Sequence, residues 1–67
     1  MTLTINGESR QFEAEAFTVS SLLEALGLAG KPLVVELNRE AIFPDDYSEA
    51  QVKDGSSLEI VTIAAGG

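Results

Sequence analysis

Cysteine, histidine and tryptophan are absent from this chain, and basic residues are scarce. Without cysteine there are no disulfide staples, no thiol redox chemistry and no thiolate nucleophile. With histidine missing too, the usual zinc ligand sets are excluded, and no nucleophile–base–orienter set can be assembled, so neither catalytic nor metal-binding residues are expected. No apolar run approaches the ~20 residues of a membrane span, and the N-terminus lacks a basic stretch followed by an apolar one. A cytoplasmic location is therefore the default expectation. The four basic residues, Arg10, Lys31, Arg39 and Lys53, are scattered among eleven acidic ones, for a net charge of −7. Phosphate backbones and anionic membranes would repel such a chain, so neither nucleic acid nor membrane is an expected partner. Solubility alone accounts for acidity of this kind. Its functional counterpart is steering toward partners with basic docking surfaces.

What the chain does have is aliphatic residues. Sixty-seven residues, 45% of them hydrophobic, make one small domain. A chain of this length buries only about 60% of its extended surface, so a core without staples or metal depends on pattern.

Thr2-Leu3-Thr4-Ile5-Asn6 alternates polar and apolar, the period of a strand with one buried face. Asn6-Gly7 is a strong hairpin turn signal, and the chain is expected to return antiparallel through Arg10–Ala14 with Phe12 on the core face. The period then changes. Val19, Leu22, Leu23 and Leu26 form the stripe of an amphipathic helix. Thr18 is placed to cap it, Ser21 with Glu24 offers an alternative capping box, and Gly27 suits its left-handed end. Leu33–Leu37 is nearly continuous in apolar residues and reads as a strand inside the sheet. Asn38-Arg39-Glu40 turns the chain into a short strand, Ala41-Ile42-Phe43, which Pro44 ends. Asp45–Glu49 resembles one helical turn, Val52 plugs the core, and Lys53-Asp54-Gly55-Ser56 turns into a last strand from Leu58.

The order strand, strand, helix, strand, short strand, helical turn, strand implies an α+β fold. It corresponds to a β-grasp: a mixed sheet of four to five strands with one main helix on one face. Residues 1–63 form the domain, and 64–67 are expected to be a flexible tail, Ala64-Ala65-Gly66-Gly67. A tail that thin suits a backbone that must thread a narrow channel, because glycine adopts conformations other residues avoid. Frayed termini and expression scars can also end in Gly-Gly. In the last strand Leu58 and Ile60 share the parity that faces the helix. Val61 and Ile63 take the other face, where little chain remains to cover them, so they are candidate partner contacts. Partial cover by Tyr47 or Phe43 is the plainer alternative. Phe12, Phe17 and Phe43 are core candidates, and Tyr47 caps the core with its hydroxyl toward water. The paired acidic residues Glu13 and Glu15, and Asp45 and Asp46, are better explained by solvated turns and edges than by acid–base chemistry.

These residues together resemble the ubiquitin-like sulfur carriers of the ThiS/MoaD family. The likeness runs through Leu3-Thr4-Ile5-Asn6-Gly7, Thr18-Val19 to Leu26, Val35-Glu36-Leu37-Asn38 and Ile42-Phe43-Pro44. It continues through Val52-Lys53-Asp54-Gly55 and Leu58-Glu59-Ile60-Val61 to Gly66-Gly67. The middle portion is closer to the thiamine-pathway branch than to the molybdopterin branch. The chain departs from its relatives at Asp45, where they commonly carry Arg, and at Ser56, where they commonly carry Asp.

The resemblance implies a non-enzymatic protein cosubstrate. Gly67 would be adenylated by a ThiF/MoeB-like activating enzyme using ATP, then converted to a thiocarboxylate by a sulfur donor enzyme. Gly66, Ala65 and Ala64 would thread the partner's active site, and the sulfur would pass to a ThiG-like thiazole synthase. No cofactor is expected on the chain itself. Sulfur carriage for molybdopterin or an amino acid, a ubiquitin-like modifier and a plain interaction module are the alternatives.

Overall fold

The computed structural model describes residues 1–63. β1 (Thr2–Ile5) and β2 (Glu8–Gln11) form a hairpin. Both turn residues lie in the left-handed region, Asn6 at φ 52° and Gly7 at φ 81°. A two-residue turn of this kind lets pairing begin at once, at Ile5 with Glu8. Pairing runs out at Thr2 with Gln11, so β2 is earlier than the expected Arg10–Ala14. Phe12 lies just past it, where its N–H donates to the Met1 carbonyl at 2.8 Å. Its ring meets Phe17 edge to face at 5.4 Å and packs against the core.

β3 (Phe17–Thr18) leads into α1 (Val19–Ala25), and a two-residue β6 (Gln51–Val52) pairs antiparallel with β3. This second small sheet has no counterpart in the sequence pattern. Thr18 caps the helix: its Oγ1 accepts from the Ser21 N–H at 3.1 Å, and the Ser21 Oγ accepts from the Thr18 N–H at 2.9 Å. The reciprocal partner is Ser21, not Glu24, which settles the start of the helix at Val19. Gly27, at φ 74°, ends it.

β4 (Leu33–Leu37) and β5 (Glu40–Ile42) form a second hairpin through Asn38 and Arg39, both at positive φ. Pro44–Asp46 is one turn of 3-10 helix. β7 (Ser57–Thr62) then enters the middle of the sheet, in the order β2-β1-β7-β4-β5. It runs parallel to β1 and antiparallel to β4. A mixed five-stranded sheet with one helix on one face is the β-grasp arrangement. Among the described residues no helix is long and apolar enough to cross a membrane.

The core lies between α1 and one sheet face. Val19, Leu22 and Leu23 of the helix meet Leu3, Ile5, Val35, Leu58 and Ile60 of the sheet, and Val52 is fully buried beneath them. Burying such side chains stabilises by roughly 1.5–3 kcal/mol each.

Two expectations need correction here. Phe43 is not a core residue: it is 66% exposed. Ile42 packs against the core, and side chains alternate along an extended backbone, so its neighbour must leave on the other side. The apolar run in β4 is inside the sheet by pairing but is not buried on both faces. Val35 is buried, whereas Val34 is 49% exposed.

Candidate functional site

β7 positions the candidate contacts. Its side chains alternate from Ser57 to Val61, with Leu58 and Ile60 buried and Ser57, Glu59 and Val61 exposed, and the last residue, Thr62, is exposed as well. The strand is held along its first half on both sides. Thr4 and Ile5 of β1 lie opposite Ser57 and Leu58. Beyond them, the Asn6 side chain takes over the ladder: its Oδ1 accepts from the Ile60 N–H at 2.7 Å and its amide donates to the Ile60 carbonyl at 3.0 Å. At the other edge, the Asn38 N–H donates to the Ser57 carbonyl at 2.7 Å and its Oδ1 accepts from the Ser57 N–H at 2.9 Å. Both hairpin-turn asparagines thus also anchor β7, a role the turn signals alone did not reveal.

Val61 and Ile63 are 59% and 52% exposed, as their parity requires. Tyr47 packs against the core and lines, together with Ile63, a groove on the helix side. Val34 stands directly opposite Val61 across the β4–β7 pair. Phe43 continues β5 with the parity of Ala41, the residue paired with Glu36, and so joins the same face beside Val34. Of the large exposed hydrophobic residues among those described, Val34, Phe43 and Val61 share the face away from the helix, while Ile63, just past the end of β7, also lines a groove on the helix side. Val34 and Phe43 were missed because a continuous apolar run conceals its own alternation. The β4–β7 register is the signal that finds Val34, and the β4–β5 register the one that finds Phe43.

One row along, the same face changes character. Glu36 and Glu59 are exposed and directly opposite each other. Like charges at this spacing destabilise a sheet by about 0.2–1 kcal/mol. The open face therefore has an apolar end toward Ile63 and a charged end toward Ser57, where Glu36 and Glu59 share a concavity with Arg39 and acidic groups outnumber the cation. It can dock an apolar surface flanked by a cation. The other tail residues expected to act, Ala64, Ala65, Gly66 and Gly67, lie outside the described residues.

A second concavity opens on the helix side, where Leu23, Leu28, Leu33, Tyr47 and Ile63 form an apolar groove with Lys31 at its lining. Ile63 borders both surfaces. Glu13 and Glu15 remain unassociated with either, and Asp45 and Asp46 sit in the first turn of the 3-10 helix, where acidic side chains suit the N-terminal dipole.

Comparison with known proteins places these features in a wider set. The model of the ThiS family matches residues 3–67. A protein of Paramagnetospirillum magneticum named thiazole synthase is 43% identical over the whole of this chain, which spans 20% of that protein's length. A Bacillus subtilis protein named sulfur carrier protein ThiS is 32% identical over 97% of this chain and 98% of its own length. In three dimensions, the crystal structure of a thiamine biosynthesis protein (ThiS) from Geobacter metallireducens superposes with a TM-score of 0.87 at 36% identity, covering both chains completely.

Proposed function

The chain belongs to the ThiS family, and on that premise we propose that it carries sulfur for thiamine biosynthesis on the carboxylate of Gly67. A carboxylate is a poor electrophile at neutral pH. An ATP-dependent activating enzyme of the ThiF/MoeB kind overcomes this by adenylation: a Gly67 carboxylate oxygen attacks the α-phosphorus of ATP, pyrophosphate leaves, and a mixed anhydride results. A hydrosulfide ion released by a donor enzyme then attacks the acyl carbon, the acyl–oxygen bond to AMP breaks, AMP leaves, and a thiocarboxylate remains. Thiazole synthase receives that sulfur. The chain is a cosubstrate throughout; ATP is bound by the activating enzyme.

The observation that carries this reading is the continuity of the chain past β7. β7 ends at Thr62, one residue past the exposed Val61, and the exposed Ile63 leads in sequence into Ala64-Ala65-Gly66-Gly67. A partner seated on Val34, Phe43, Val61 and Ile63 would have the tail at its active site without any further search. Ordering a Gly-rich tail costs conformational entropy and offers little surface in return, so the folded body supplies the affinity. A relative named thiazole synthase includes a segment 43% identical to this whole chain, which supports the pairing of carrier and synthase.

ATP–pyrophosphate exchange with a purified activating enzyme tests the adenylation step. The full chain is expected to drive exchange, and a chain ending at Ala65 to drive none. Equal exchange from both would exclude Gly67 as the reacting residue.

A further inference from the structure

The two hairpins of the sheet are closed by the same turn with different residues. Asn6-Gly7 joins β1 to β2 at φ 52° and 81°, and Asn38-Arg39 joins β4 to β5 at φ 49° and 72°. A two-residue turn with positive φ at both positions favours asparagine first and glycine second. At Gly7 a Cβ would meet nothing within 4 Å, so glycine there answers a conformational demand and not a steric one. Arg39 meets the same demand with a side chain that the left-handed region strains.

The strained turn is imposed from outside. Asn38 is bonded to Ser57 through both its N–H and its Oδ1, which holds the hairpin end against β7 whatever residue follows. The turn itself needs nothing from the Arg39 side chain, which is exposed and lines the concavity formed with Glu36, Ser57 and Glu59. The other basic residues stand elsewhere: Arg10 over the Phe12 ring, Lys31 at the helix-side groove and Lys53 in the turn before β7. Arg39 thus brings a cation to the charged end of the open face, in the form of a planar fork that pairs bidentately with a carboxylate.

We propose that Arg39 is a specificity-determining residue for docking: its guanidinium pairs with a carboxylate on the activating enzyme and fixes the register in which the open face is seated. This inference rests on the sulfur-carrier reading and names one contact of its docking surface. Arg39 adjoins Ser57 at the start of β7, and the rise of a strand puts it roughly 20 Å from Ile63, so it touches no reacting atom.

Arg39→Gly tests the assignment on the full chain, read by thermal melting and by steady-state adenylation with the purified activating enzyme. Relief of the strain should raise the melting temperature by a few degrees. KM for the chain should rise about tenfold, the effect of one lost charge-assisted pair, while kcat holds. Arg39→Lys keeps the charge but not the fork; its melting temperature should match the wild type and its KM should rise about threefold. Lys53→Gln removes the same charge from the turn bonded to the start of β1 and should change KM by less than about twofold. A lower melting temperature in Arg39→Gly overturns the proposal, because the guanidinium would then act within the fold by offsetting Glu36 and Glu59. So does a KM that Lys53→Gln moves as far, which reduces the effect to net charge. If the wild-type chain is not adenylated, the functional reading fails at its own step and the proposal with it, whereas wild-type KM retained by Arg39→Gly refutes the role of Arg39 alone.

Discussion

The two faces of the sheet are drawn from the same five strands and nearly the same residue types, yet they serve opposite ends. Toward the helix, Leu3, Ile5, Val35, Leu58 and Ile60 are buried against Val19, Leu22 and Leu23. On the other side, Val34, Phe43 and Val61 stand in the open, one residue out of step with their buried neighbours. In so small a domain one helix covers one face, and aliphatic residues left on the second face contribute little to folding. Residues of one hydrophobic character are thus buried on one face and exposed on the other, and alternation, not composition, separates them.

The comparison breaks most violently on the closed face. Leu22→Ala removes a fully buried side chain and should cost roughly 2–5 kcal/mol. A domain of this size has only about 3–10 kcal/mol in total. Urea denaturation should show a large fall in midpoint; a shift of only a few tenths of a molar would mean that the helix is not the principal cover of the core.

On the open face the same kind of change should spare the fold. Val61→Glu introduces a charge where the side chain is already 59% exposed, so the melting temperature should stay within a few degrees. Affinity for the activating enzyme, measured by calorimetry, should fall by about tenfold or more, since an unpaired charge would be desolvated in an apolar contact. Loss of the folded state instead would move Val61 into the core and abolish the contrast between the faces.

The smallest effect sharpens the acidic end of that face. Glu36→Gln relieves the repulsion with Glu59 and should stabilise the domain by about 0.2–1 kcal/mol, a gain that shrinks as salt is added. The same variant should bind the activating enzyme more weakly, with the loss mainly in the association rate. Tighter binding would show that the acidic pair opposes docking.

Much of this was legible in the order of the residues. The hairpin turn, the helix stripe, the plugging role of Val52 and the parity of Leu58 and Ile60 against Val61 all follow from local period and turn chemistry, which tertiary contacts here reinforce. What escaped was set by pairing partners distant in sequence. The β3–β6 pair is only two residues per strand, too short to show a period. Asn6 and Asn38 read as turn residues because their φ angles demand it, while their second role depends on β7 arriving from more than fifty residues beyond Asn6. Phe43 was assigned to the core on hydrophobicity alone, although its neighbour Ile42 already held that position. Of the candidate site, Val61 was found from parity within one strand, whereas Val34 needed the register between two.

If sulfur rides on Gly67, the mass of the Gly66-Gly67 peptide recovered from cells that make this protein will show it. The expected species is heavier by one oxygen-for-sulfur exchange, located at Gly67 and converted to the plain carboxylate when sulfur is donated to thiazole synthase. A Gly67 found only as the plain carboxylate or joined to a lysine amine, with no thiocarboxylate formed when activating enzyme, ATP and sulfur donor are supplied, would contradict sulfur carriage.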